Sequence, residues 1–132
     1  MGVPVIPPPL SSDPLAPLVS QIVTRLLESR EVVVPLDVLV ALEMIDEELI
    51  ADWRRGELPY LERGITKGLA RTARVLRLLR AEALGRGLTP KSGKYLRSGK
   101  GPKLPLRFSK RGDAESEAAY ATHFVRAKAP VP

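Results

Sequence analysis

Apolar positions in the first two thirds of this chain recur at helical intervals, with little of the alternation that marks strands. Leu15, Leu18, Val19, Ile22 and Leu26 fall three or four residues apart, which predicts an amphipathic helix over 14–29. Asp13 before Pro14 has the chemistry of an N-cap followed by proline at the first helical position. Val32, Val33 and Val34 read as a short extended piece, and Pro35 opens a second helix carrying Leu36, Leu39, Val40 and Leu42. A third helix begins at Asp46, where Glu47 and Glu48 favour the positive end of the helix dipole. It runs through Leu49, Ile50 and Trp53, and the bases Arg54 and Arg55 before Gly56 form its stop signal.

The clearest periodicity comes next. Leu61, Ile65, Leu69, Thr72, Leu76, Leu79 and Ala83 form one stripe, which predicts a long helix from Pro59 to about Leu84. At 100° per residue, Arg63, Lys67, Arg71, Arg74 and Arg77 gather on the opposite side. Gly64 and Gly68 each weaken such a helix by roughly 1 kcal/mol relative to Ala, but the stripe runs through them. After Gly85 and Gly87, Pro90, Pro102 and Pro105 forbid continuous helix. Leu104, Leu106 and Phe108 alternate as in a strand. Residues 113–125 fit either a short helix capped by Asp113 or, in their later part, a strand pairing with 104–109.

Charge sharpens this picture. The chain has 132 residues, 21 Lys and Arg, 15 Asp and Glu, and a net charge of +6. Residues 1–62 hold four bases against eleven acids (−7), and residues 63–132 hold seventeen against four (+13). From Ala83 to Gly112 there is no acid but nine bases: Arg86, Lys91, Lys94, Arg97, Lys100, Lys103, Arg107, Lys110 and Arg111. That polarity points to a polyanion as partner for the basic half, and the alternative is neutralisation by the acidic half, within one chain or across a homodimer. In a polyproline II arm, bases at every third residue from Lys91 to Lys103 would make one edge with steps of about 9 Å, tracking phosphates while Tyr95 and Phe108 stack on bases. The alternative for the long helix is an ordinary solvated face, and for the arm a solubilising loop.

With no cysteine, disulfides and thiolate metal sites are excluded. No signal-peptide pattern or membrane span is read in the sequence, and a cytoplasmic location with no membrane partner is expected. "GLTPKSGKY" fails as a phosphate-binding loop, because five residues separate Gly87 from Gly93 and Tyr95 follows the lysine. Asp113, Glu115, Glu117 and the single His123 lack an evident upstream partner for a metal or catalytic site. Neither an enzyme nor a cofactor is expected.

The stretch "PLDVLVALEMIDEELIADWRRGELP", residues 35–59, resembles the helix-turn-helix of the MerR and excisionase families. Leu39 and Leu42 match the first helix, Met44-Ile45-Asp46 the turn, Leu49, Ile50 and Trp53 the inner face of the second helix. Arg54, Arg55, Gly56, Leu58 and Pro59 match its ending. The resemblance implies a second helix in the major groove, with Arg54 and Arg55 on phosphates or base edges. In this chain that helix is acidic, with Glu47, Glu48 and Asp52.

The expected fold is therefore mostly α, a small helical bundle with a helix-turn-helix-like hairpin, a basic arm and a short C-terminal element. Its expected organisation is a Pro-rich tail (1–12), helical domain (13–84), arm (85–112), C-terminal helix or strand (113–126) and tail (127–132). The expected function is non-enzymatic nucleic-acid binding in a regulatory or accessory role, DNA ahead of RNA. Its contacts would be Arg54, Arg55, Arg63, Lys67, Arg71, Arg74, Lys91, Lys94, Tyr95, Arg97, Lys100, Lys103, Arg107, Phe108, Lys110 and Arg111. The rivals are a protein-interaction subunit docking through the acidic half and an RNA- or ribosome-associated protein.

Overall fold

The computed structural model describes residues 12–65 and 68–127. Among them are five α-helices, one 3-10 turn and a three-stranded sheet, so the chain is mostly α but not a pure helical bundle. In order these are α1 (Ala16–Ser29), β1 (Val32–Val33), α2 (Pro35–Ala41) and α3 (Glu47–Arg54). The 3-10 turn (Leu61–Gly64) follows, then α4 (Leu69–Gly85), β2 (Thr89–Ser92), α5 (Ala114–Ala121) and β3 (Thr122–Val125). The expected Pro-rich tail and the C-terminal tail lie outside the described residues, apart from Ser12 and Ala127. Among the described residues no helix is long and apolar enough to cross a membrane.

The first three helices form where the periodicity places them, with one change. Helix α1 starts at Ala16 with Leu15 as its N-cap, and Asp13 instead accepts from Leu15 N at 2.9 Å just ahead of the helix. Asp46 caps α3 as expected, accepting from Leu49 N at 2.7 Å. In the α2–α3 turn the left-handed residue is Glu43 (φ 58°), one position before Met44.

The single long helix from Pro59 to Leu84 is not observed. Gly68 sits at φ 81°, a left-handed conformation no α-helix contains, and α4 starts only after it. Gly64 is the last residue of the 3-10 turn and packs closely on α3, where a Cβ would lie 2.1 Å from Leu49 Cδ1. The stripe stays in phase across the break, since Leu61 and Ile65 are buried from the turn while Thr72, Leu76, Leu79 and Ala83 are buried from α4. Leu69, counted in the stripe, is exposed.

Both readings of the C-terminal element hold in part. Asp113 caps α5, and the chain then passes directly into β3. The partner differs from expectation: β3 is the central strand, antiparallel to β1 (Val33↔Phe124) and to β2 (Lys91↔His123), not to 104–109. Pro90 is accommodated because β2 is an edge strand. Helix α1 packs on α4, α2 on both and on α5, closing a core that includes Trp53, Leu39, Leu78, Leu79 and Phe124.

Candidate nucleic-acid interface

The acid-free segment is not a free arm. Its two aromatic residues enter the core: Tyr95 is 8 % exposed and Phe108 3 %. Phe108 lies 4.8 Å from Trp53 and stacks on Tyr120 at 5.3 Å, and Tyr95 meets Phe108 edge-on at 5.0 Å. Neither ring is open to a nucleic-acid base, so the expected stacking role is withdrawn for both. Tyr95, Phe108, Tyr120 and Trp53 gain more from mutual burial than from water, and that attraction folds the segment onto the helices.

Polar groups lock the same segment. Trp53 Nε1 donates to the carbonyl of Arg107 at 2.7 Å. Glu117 on α5 accepts from Phe108 N (2.9 Å), Ser109 N (2.7 Å) and Ser109 Oγ (2.6 Å). Glu62 on the 3-10 turn accepts from Lys110 N (3.0 Å) and from the Tyr120 hydroxyl (2.7 Å). Two carboxylates from outside the acid-free window thus satisfy its backbone donors. Burial, and then the Glu62 hydrogen bond, push the Tyr120 hydroxyl far above the ordinary phenol range.

Between these anchors the chain makes a hairpin. Leu96 pairs with Pro105, Arg97 N donates to Leu104 O and Leu106 N to Tyr95 O, each at 2.8 Å. Gly99 (φ 94°) and Gly101 (φ 102°) reverse the chain, in a conformation only glycine adopts freely. Such a reversal replaces the continuous polyproline edge expected from Lys91 to Lys103. Ser98 N and Oγ both donate to Arg54 O, tying the hairpin to the end of α3.

The expected contact residues separate into two groups. Arg55 is paired with Asp52 and Glu57, and Arg74 makes two hydrogen bonds to Asp13, with Nε at 3.0 Å and the terminal nitrogen at 2.6 Å. The Arg74 hydrogen bond holds the Asp13 carboxyl below its ordinary range. Arg111 faces Asp113 at 3.6 Å. Arg54 lies over the Tyr95 ring, and Arg107 lies over Tyr60 while donating to the carbonyls of Ser109 and Lys110. Arg97 packs on Gly56, where a Cβ would lie 2.8 Å from its Nε. Arg63, Arg71, Lys91, Lys94, Lys100, Lys103 and Lys110 are exposed and enter no ion pair among the described residues. Lys67 lies outside the described residues.

Two other features were legible only in three dimensions. A groove of about 590 Å³ between α4 and α5 presents Arg77, Arg80 and Arg111 opposite Glu62, Asp113 and Glu115, three charges of each sign and no net preference. The acidic cluster near His123 does not converge: Asp113 caps α5, Glu117 holds backbone, and His123 Nε2 meets the Tyr95 hydroxyl at 2.7 Å. Among the described residues no group of three or more His, Asp or Glu is arranged to hold a metal ion.

Comparison of the chain with protein-family models, curated proteins and solved structures gave no match.

Proposed function

We propose that the protein binds nucleic acid, duplex DNA in the first place, through the clamped basic segment, without catalysing a reaction and in a regulatory or accessory role. The observation that carries this reading is the state of the nine bases between Ala83 and Gly112. Arg86 and Arg111 are ion-paired, which leaves seven without an acid partner on a frame fixed by Glu62, Glu117 and the aromatic cluster. Positive charge on a fixed backbone loses little backbone freedom on meeting a polyanion, and each phosphate neutralised releases counterions. With Tyr95 and Phe108 inside the core, the segment offers neither ring for stacking on single-stranded bases, which favours the duplex.

Helix α3, the recognition helix implied by the resemblance, is not part of this proposal. Glu47 and Glu48 are exposed on it and Arg55 is already neutralised, so its approach to phosphates is repulsive. That same acidic surface favours the second reading, in which α3 docks on a basic protein.

Fluorescence anisotropy against a random duplex, a single strand and a structured RNA tests the proposal. Duplex affinity is expected to fall by orders of magnitude between ~50 and ~200 mM salt. The triple reversal K94E/K100E/K103E is expected to weaken binding at least tenfold at the lower salt, with an unchanged circular dichroism spectrum. Absence of binding at ~50 mM salt would refute the reading.

A further inference from the structure

The outward side of the hairpin carries more than charge. Strand alternation sets Tyr95 and Leu106 inward, and gives Leu96 and its cross-strand partner Pro105 to the opposite side, both exposed. Among the described residues Leu96 is 44 % exposed and Pro105 is exposed as well, so the rung faces solvent. Lys94 and Lys103 flank it, and Lys100 stands at the tip beyond. Lys103 Nζ donates to Gly99 O at 3.1 Å, which braces the turn.

The residues absent from this side matter as much. It holds no Asn, Gln or free Arg fork, the side chains that read base edges. Arg97 lies on the inner side against Gly56, and the guanidinium of Arg107 is committed to two backbone carbonyls. Lysines act as point charges suited to phosphates, and on a duplex the surface an apolar rung between them can meet is that of the stacked bases. Leucine and proline are among the wedges that unstack a base step from the minor groove and bend the duplex.

We infer that the 95–106 hairpin is a DNA-bending wedge: Lys94, Lys100 and Lys103 hold phosphates while the Leu96–Pro105 rung presses into a minor-groove step, without reading base edges. The inference rests on the duplex-binding reading above, and charge complementarity selects duplex DNA over a protein as the occupant. Bending makes the ligand deformable duplex, so pyrimidine–purine steps such as TA should be favoured because they kink most easily.

The test uses the full chain and a short duplex carrying end fluorophores and 2-aminopurine beside a central TA step. Binding is expected to raise both energy transfer and 2-aminopurine fluorescence, in line with a bend of roughly 20–90°. The variant L96A/P105A, folded by circular dichroism, should lose most of both signals while its affinity changes by less than about threefold and its salt slope stays the same. Leu104→Ala, on the other side of the ribbon, should leave both signals unchanged. If the wild-type protein binds but the duplex stays straight and stacked, the wedge is overturned and the binding reading stands. If nothing binds, the binding reading itself fails. A third arm uses vesicles of phosphatidylserine and phosphatidylcholine. Co-sedimentation that needs Leu96, with DNA bending indifferent to it, would assign the rung to a lipid surface and overturn the wedge.

Discussion

Glu117 shows how one side chain decides the state of a whole segment. Its carboxylate takes three hydrogen bonds from Phe108 and Ser109, so Glu117→Gln, which places an amide NH2 against donors, should cost about 1–3 kcal/mol in urea denaturation. His123 supplies a pH dependence. Burial lowers its pKa from the ordinary 6.5, with Asp37 opposing the shift, so the unfolded chain binds the proton more readily. The contribution of neutral His123 to stability is therefore complete above about 6.5 and lost as pH falls through the folded value. Asp13 and Asp113, held below 3.8 by hydrogen bonds from Arg74 and Ser116 respectively, add to this only at still lower pH. Urea midpoints at pH 8, 6 and 5 should decline for the wild-type protein and decline less for His123→Gln. The Asp113 cap was legible in sequence because it acts over three residues, whereas the Tyr95–His123 and Glu62–Tyr120 pairings were not, since they join residues 28 and 58 positions apart.

At the scale of elements, local signals were reliable where they were self-sufficient. Asp46 and Gly56 place the cap and stop of α3, and Pro35 the start of α2, by chemistry that acts within one turn, whereas α2 ends at Ala41, short of the expected Leu42. The long helix failed because an apolar stripe reports which residues are buried, not whether the backbone between them is continuous. Gly64 and Gly68 carried the correct signal, and the packing reason for Gly64 is Leu49 on α3. Gly64→Ala should therefore destabilise by about 1–3 kcal/mol through overpacking, measured by thermal or urea unfolding, although alanine is the better helix former. A neutral or stabilising result would mean that Leu49 moves aside without loss.

Over the whole molecule, the basic segment is part of the fold that displays it. Deleting 93–111 removes Tyr95 and Phe108 from Trp53 and leaves Glu117 and part of Glu62 without partners. Trp53 is fully buried, so the deletion should shift tryptophan emission to the red and broaden the unfolding transition. An unshifted emission with a sharp transition would show that the helices fold without the segment. Binding is for that reason tested by charge reversal at exposed lysines, which leaves the aromatic cluster intact.

What the sequence determined by itself is whatever depends on neighbours within a few residues: the start of α2, the cap and stop of α3, the amphipathic face of α1, the split of charge between the halves and the acid-free window. Those follow from helical periodicity and side-chain chemistry at short range. Tertiary structure alone decided that the window is docked, that β3 pairs with β1 and β2, and which arginines keep an unpaired charge. Aromatic burial and carboxylate–backbone hydrogen bonds join residues tens of positions apart, and a periodic pattern carries no information about which distant surface a segment will meet.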